Sequence, residues 1–173
     1  GIANPLTAIE QITYLLFIKR LDDMETKLEN DAAFLGEKYV SKRFAGTFLP
    51  YVDESVYNDS LRPGGPDTFQ KQIIDARKEA KKPRSKQELR WSNFKRITTT
   101  EKMLEHVRYN VFPFIKTLNG DASPFTKHMA NAVFIIEKPT LLFEAINKIE
   151  EIFIEIEKDA SEGGHTFQDI QGD

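Results

Sequence analysis

The sequence predicts an all-α protein, a bundle of about five to seven helices with one long irregular loop over about 44–66. Apolar residues recur every three or four positions in the longer segments, as on one face of a helix, and there is little strand signal. Capping-box pairs also recur along the chain, which marks several helix starts. A chain of 173 residues can bury one core, so a single domain is expected.

The first predicted helix runs from about Thr7 to Lys27, with Thr7 and Glu10 spaced as a capping box. Apolar residues cover more than half of its circumference: Ile9, Ile12, Leu15, Leu16, Phe17, Ile18 and Leu21. Such a helix needs partners on several sides, so we expect it at the centre of the bundle. A short amphipathic helix is expected next, over Ala32 to Lys42.

The loop at 44–66 is predicted because glycine, proline, asparagine and aspartate interrupt every periodic pattern there. Aromatic and β-branched residues within 51–57 could form one short strand. The following helix, from Thr68 to about Lys82, has Asp67 as its cap and ends before Pro83, because proline cannot continue a helix.

Ser85 with Glu88 predicts a further short helix. We assign its Trp91 and Phe94 to the core, because aromatic side chains bury large areas. Stacking on nucleic-acid bases is the alternative for these two rings.

Thr98 with Glu101 predicts the next helix. Pro113 interrupts an apolar run, so we expect a kink or a new start there and a helix through Lys116. The buried side of this region should comprise Met103, Leu104, Val107, Val111 and Phe112.

Two more helices are expected after a turn at 119–121. Ser123 and Pro124 open one that runs through about Phe134, and Pro139 opens the last long helix. The last helix carries a regular apolar stripe of Leu142, Ile146, Ile149, Phe153 and Ile156. Its far end is acidic, which opposes the helix dipole, so we expect that end to fray or to meet a basic partner.

Five segments resemble, in the same order, landmarks of the amino-terminal domain of modification subunits of type I restriction–modification systems. These subunits are N6-adenine DNA methyltransferases. The segments are NPLTAIEQITYLLFIKRLDD at 4–23, WSNFK at 91–95, VFPFIKTLNGD at 111–121, FTKHMANAVFIIEKPTLL at 125–142 and DIQGD at 169–173. The resemblance implies a helical N-terminal domain over 1–160 and a linker over 161–173 leading towards a catalytic domain.

The resemblance implies an accessory role in DNA clamping and subunit assembly. Its partners would be duplex DNA, the specificity subunit, a second modification subunit and the restriction subunit of the same system. S-adenosylmethionine is implied for the parent protein but not for this fragment, since the family's Asn-Pro-Pro-Tyr or Asn-Pro-Pro-Phe motif is absent and Leu6 follows Asn4-Pro5. No catalytic, cofactor-binding or metal-binding residue is therefore assigned, and the fragment alone should not methylate DNA.

The net charge of −3 is unevenly distributed. Residues 71–96, which we call the basic segment, hold ten Lys and Arg against three Asp and Glu, a balance of +7 that leaves −10 elsewhere. Such a segment is a candidate for contact with a polyanion, although a solvated helix face has the same pattern. The DNA-contact candidates are Arg77, Lys78, Lys81, Lys82, Arg84 and Arg90.

Other classes of function find little support. No run of 18 or more apolar residues is present, so no membrane association is expected. The chain lacks cysteine, which excludes disulfides and thiolate zinc sites and fits a cytoplasmic bacterial protein. His106, His128 and His165 lack metal-ligand spacing, and each is expected on a helix surface or partly buried. A helical protein–protein interaction module without a nucleic-acid role is the alternative function; a small helical enzyme is disfavoured because no polar constellation is present.

Overall fold

The computed structural model describes residues 4–52, 74–75, 77–79, 81–118 and 129–162. This part of the chain is mostly helical, which confirms the all-α class. Its α-helices are α1 (Pro5–Phe34), α2 (Trp91–Phe94), α3 (Thr100–His106), α4 (Phe112–Lys116) and α5 (Pro139–Glu162). Strands β1 (Thr47–Phe48) and β2 (Arg84–Ser85) form a two-residue antiparallel pair, a 3₁₀ turn covers Lys86–Leu89, and a π-helical segment (Val107–Val111) joins α3 to α4.

Helix α1 begins two residues before the predicted start. The side chain of Asn4 caps it by accepting the N–H of Leu6 at 2.9 Å, and Pro5 occupies the first turn. The predicted Thr7 cap is therefore wrong. Glu10 lies within the helix, where it accepts the hydroxyl of Tyr14 at 2.6 Å.

Helix α1 also ends seven residues later than predicted, at Phe34, so the separate helix expected over Ala32 to Lys42 is wrong. Gly36 has a φ of 71°, a left-handed conformation that glycine adopts without steric cost. Its N–H reaches the carbonyl of Ala33 at 3.2 Å, and the N–H of Glu37 reaches that of Ala32 at 2.8 Å. These two bonds form a Schellman motif, which terminates the helix.

One hydrophobic core joins the elements. It is formed by one side of α1, the first half of α5 and the whole stretch from the 3₁₀ turn to α4, together with Phe44, Met129, Ala132 and Ile136. Trp91 and Phe94 are both buried in it with their rings 5.5 Å apart, so their assignment to the core is confirmed. All five buried positions predicted between Met103 and Phe112 are confirmed as well.

The central helical stretch starts one residue after the predicted cap. Thr99, not Thr98, precedes α3, and its side chain makes no capping hydrogen bond. Pro113 has the predicted effect, because a new helix starts at Phe112 and runs through Lys116. Proline has no N–H to give to the carbonyl four residues earlier, and the helix widens to π geometry just before it.

Two further expectations about loops are corrected. The helix predicted to run through Phe134 does not, because residues 132–138 have no regular secondary structure and only Met129 is helical among the described residues before them. Of the residues expected to form a short strand, Tyr51 and Val52 are irregular and Val56 and Tyr57 lie outside the described residues; a strand that was not predicted lies at Thr47–Phe48. Pro139 opens α5 as predicted.

Several predictions fall outside the described residues: the rest of the 44–66 loop, the Asp67 cap, the 119–121 turn, the Ser123–Pro124 helix start, His128, His165 and most of the linker at 161–173. The described residues at 74–75 and 77–79 are helical, and the helix ends before Pro83 as expected. No helix in the described part of the chain is long and apolar enough to cross a membrane.

Candidate nucleic-acid and subunit interfaces

Arg90 is the centre of a buried polar cluster that fastens the basic segment to α1. Its guanidinium pairs with Asp22 and with Glu29, whose Oε1 lies 2.7 Å from Nη2. It also donates to Thr26 at 3.0 Å and to Gln87 at 2.9 Å. Burial opposes the charge of Arg90, but the hydrogen bonds that it donates to Glu29 and Asp22 outweigh this effect and raise its pKa. This guanidinium acts as an internal anchor, so we leave it out of the candidate DNA surface.

The start of α2 is fixed by two carboxylates. Asp22 accepts the backbone N–H of Ser92 at 2.8 Å, in addition to its ion pair with the anchor arginine. Glu150 of α5 accepts the indole N–H of Trp91 and lies 3.1 Å from Lys95 Nζ. Burial would raise the pKa of Glu150, but these two hydrogen bonds outweigh it and lower the pKa. The end of the basic segment is therefore held rigidly between α1 and α5.

Two of the predicted DNA-contact cations are exposed but already paired. Arg84 makes a bidentate contact with Glu88 at 2.6 and 2.8 Å. Its hydrogen bond is the main reason why the pKa of Glu88 is lowered. Lys82 lies 2.6 Å from Glu79. Exposed ion pairs of this kind contribute little to stability and can be exchanged for a phosphate.

Lys78 and Lys81 are the most available cations among the six candidates. Both side chains are exposed, and neither has an ion-pair partner within the described part of the chain. Arg77 precedes them in the same helical stretch and is half-buried. The accessible positive charge is thus concentrated at the end of the helix before Pro83, at Lys78, Lys81 and Lys82.

An open cleft of about 800 Å³ lies between the basic segment and α3, with Arg84, Lys102 and His106 in its lining. His106 is not a general base there, because both ring nitrogens are occupied. Nε2 donates to the carbonyl of Glu88 at 2.8 Å, and Nδ1 accepts the amide of Asn110 at 3.1 Å. Burial lowers the pKa of His106, which keeps the ring neutral and favours this arrangement. The histidine is a structural bridge and is buried, whereas the sequence analysis expected it on a helix surface or partly buried.

Helix α1 has a second apolar face that points away from the core. We call Leu6, Ile9, Ile12 and Leu16 the outer face of α1. Leu6 is 75% exposed and Ile9 is 60% exposed. The prediction that these positions lie at the centre of the bundle is wrong for Ile9, Ile12 and Leu16, whereas Leu15 and Ile18 are buried as expected. The described structure covers only one of the two apolar sides of this helix.

The segment 132–138 runs beside α1 and adds to its exposed apolar surface. The side-chain amide of Gln11 donates to the carbonyl of Val133 at 2.9 Å and accepts the N–H of Ile135 at 3.0 Å. This double contact ties the segment to α1 through both polar atoms of one side-chain amide. Val133 and Ile135 are themselves exposed.

Sequence reasoning missed the polar residues that α1 buries, which are Gln11, Lys19, Asp22 and Glu25. Glu25 accepts the hydroxyl of Tyr39 at 2.9 Å. Gln11, Asp22 and Glu25 continue the same helical phase as Leu15 and Ile18, so their spacing was a usable signal. Within the described residues, no group of histidine, aspartate or glutamate could hold a metal ion.

Comparison with known proteins identifies a family. A family model described as HsdM N-terminal domain matches residues 1–149. Neither a search of curated proteins nor a search of solved structures found a match.

Proposed function

Because the chain belongs to the family of N-terminal domains of the HsdM, or modification, subunits of type I restriction–modification systems, we propose that it is an accessory domain. It would join the modification subunit to other subunits and hold duplex DNA, while methyl transfer takes place elsewhere in the protein. The observation that carries this proposal is the division of its surface. An apolar outer face lies on α1, and exposed lysines lie at the end of the helix before Pro83.

The outer face of α1 is the proposed assembly surface. Four large apolar side chains in a row along one helix are costly to leave in water, at about 25 cal/mol per Å². Contact with the specificity subunit or a second modification subunit would bury them. The surface is preformed, because the buried side of α1 is fixed by the core and by Asp22 and Gln11.

This role is tested by measuring the affinity of the whole modification subunit for the specificity subunit of the same system. Ile9→Ser combined with Leu16→Ser should weaken that complex by about tenfold or more while leaving the melting temperature of the free subunit nearly unchanged. Ile154→Ser is the matched control, because Ile154 is as exposed as Ile9 but lies on α5. If the wild type, the Ile9→Ser/Leu16→Ser variant and the Ile154→Ser variant bound the specificity subunit with equal affinity, the outer face of α1 would not be part of the assembly surface.

The proposed DNA contact is electrostatic. Lysines held on a helix neutralise phosphates without reading sequence, which suits a domain that clamps a duplex while another part extrudes a base. Lys78 and Lys81 are the leading candidates, and Lys82 and Arg84 would exchange their carboxylate partners for phosphate. Because Arg90 is buried in ion pairs, it would act only by fixing the basic segment.

Fluorescence anisotropy with a labelled duplex at several salt concentrations measures this contact. Affinity should fall steeply with salt, and Lys78→Glu with Lys81→Glu should flatten the slope of log K against log salt by about 0.9 for each phosphate that is no longer neutralised. Lys158→Glu on α5 is the control, since Lys158 is also exposed. If DNA binding did not depend on salt, or if Lys158→Glu changed it as much as the double variant, the proposed DNA contact would be wrong. The alternative, a protein-interaction module without a nucleic-acid role, would then be favoured.

The parent protein would be an adenine-N6 methyltransferase that uses S-adenosylmethionine in the cytoplasm. This chain has no Asn-Pro-Pro-Tyr or Asn-Pro-Pro-Phe motif to hold an extruded adenine. The cleft beside His106 does not supply an equivalent site, because the side chains of His106 and Asn110 are hydrogen-bonded to each other. We therefore assign cofactor binding and catalysis to another part of the modification subunit.

A further inference from the structure

The apolar stripe of α5 continues past the folded body. Leu142, Ile146 and Ile149 are buried, and Phe153 packs against the core from a partly buried position. The same alternation of three- and four-residue steps then reaches Ile156 and Ala160, which gives the 3.5-residue period of a helix–helix seam. Ile156 is 43% exposed and Ile152, beside it, is 46% exposed. We call Ile152, Phe153, Ile156 and Ala160 the distal seam.

The body of the protein stops covering α5 near Phe153. Helix α5 packs mainly against α3, and the ammonium of Lys19 lies 4.5 Å from the centroid of the Phe153 ring. Within the described part of the chain, no hydrogen bond or ion pair joins a side chain of 154–161 to another element. At 1.5 Å per residue, residues 154–162 extend about 14 Å beyond Phe153.

The distal seam is bordered by negative charge. Residues 154–162 hold four carboxylates and one lysine, and Glu157 and Asp159 flank the seam on its two sides. The carboxyl end of the helix adds the negative end of its dipole. In a two-helix seam, such flanking positions pair with charges of the partner helix and set partner choice.

We infer that the distal seam of α5 binds a basic amphipathic helix of another protein chain, with its apolar side on Phe153 and Ile156 and its Lys or Arg side chains beside Glu157 and Asp159. This surface goes beyond the proposed function, which uses the outer face of α1 and the lysines before Pro83. Charge complementarity favours a basic helix over other partners of the distal seam. A second copy of α5 would bring like charges together, and a nucleic acid would be repelled.

Two synthetic peptides of about three heptads test the inference with the full 173-residue chain. Both carry leucine and isoleucine at the seam positions; one has lysine at the flanking positions and the other has glutamate. Isothermal titration should show that the lysine peptide binds at least about tenfold tighter than the glutamate peptide. The chain variant Glu157→Lys with Asp159→Lys should reverse that preference.

Ile156→Asp should abolish binding of the lysine peptide, whereas Ile154→Asp should not, because Ile154 is exposed on another side of α5. Both positions are exposed, so both variants should keep the wild-type melting temperature. Ile9→Ser with Leu16→Ser should leave peptide binding unchanged, which separates this inference from the proposed role of α1. Equal binding of the two peptides, no binding of either, or self-association of the chain that Ile156→Asp abolishes would each overturn the inference.

Discussion

Helices α1 and α5 both lie against the same core, yet they bury different kinds of residue. Helix α5 places Leu142, Ile146 and Ile149 in the core, as its apolar stripe indicates. Helix α1 buries Asp22 and Glu25 along with its core apolar residues, while its outer face remains in water. The difference lies in the partners, because each buried carboxylate of α1 has a specific donor from another part of the chain.

This contrast shows what apolar periodicity measures. It reports the free energy of removing hydrocarbon from water, which is a local property of the helix sequence. A buried charge is stable only when a partner satisfies it, and the partner of Asp22 is 68 residues away in the sequence. The pattern of α5 therefore predicts its buried side, whereas the pattern of α1 identifies two apolar faces without saying which one is covered.

The largest effect should come from removing the carboxylate that pairs with Arg90. Asp22→Ala leaves a buried guanidinium with only Glu29 as its acidic partner, and it also removes the acceptor for the N–H of Ser92. We expect a loss of about 3–5 kcal/mol in the free energy of unfolding, measured by urea denaturation.

Asp31→Ala is the matched control for that experiment. Asp31 is an exposed aspartate of the same helix and has no ion-pair partner within the described residues, so its removal should cost less than about 1 kcal/mol. A similar loss in the two variants would show that burial of Asp22 does not matter to stability and would contradict the contrast between the helices.

The next largest effect concerns α5. Ile146→Ala removes a fully buried side chain from the core and should cost about 3 kcal/mol, whereas Ile154→Ala should change the free energy of unfolding by less than about 0.5 kcal/mol. Thermal and urea unfolding of the two variants measure the difference. If Ile154→Ala destabilised the chain as much, then the distal half of α5 would be packed and not available to a partner.

Much of the fold could be predicted from local chemistry. Pro139 marks the start of α5, Pro113 marks the new helix at Phe112, and Trp91 is buried as its size suggests. The sequence analysis ended α1 too early, although Gly36 indicates where the helix ends. The reason is that the charged residues before Gly36 resemble the end of an amphipathic helix.

The candidate interfaces were harder to predict than the fold. The sequence showed that the basic segment is positively charged, but it did not show which of these charged side chains are exposed and unpaired. Arg84 is exposed but paired with Glu88 close by, and Arg90 is buried against Asp22, which is far away along the chain. The covered side of α1 likewise depends on where 132–138 packs, which no local pattern indicates.

A moderate effect is expected at Gln11, which holds segment 132–138 against α1. Gln11→Ala removes a donor to Val133 and an acceptor for Ile135, so we expect a loss of about 2 kcal/mol. Amide hydrogen exchange at Ile135 should become faster. Thr13→Ala should leave it unchanged, because the hydroxyl of Thr13 bonds only within its own helix, to Ile9 at 2.7 Å. Unchanged exchange in Gln11→Ala would mean that the segment is fixed by other contacts.

The smallest effect should appear at Glu150, the carboxylate through which α5 holds α2. Its pKa in the folded protein lies below the usual value of 4.5, so the folded state favours the ionised form. The stability that it contributes is present above pH 4.5 and is lost as the pH falls through the lowered folded pKa. Glu150→Gln should cost about 1 kcal/mol at pH 7, because the hydrogen bond to Trp91 remains but its charge is lost.

The difference between wild type and Glu150→Gln should therefore shrink as the pH falls below 4.5. Fluorescence reports this directly, since Trp91 is the only tryptophan in the chain and touches the carboxylate. Glu151→Gln, at a side chain that is 66% exposed, should follow the wild-type curve. A constant difference between wild type and Glu150→Gln from pH 7 to pH 3 would show that the charge of Glu150 does not hold the two helices together, and that α5 is positioned by its apolar stripe alone.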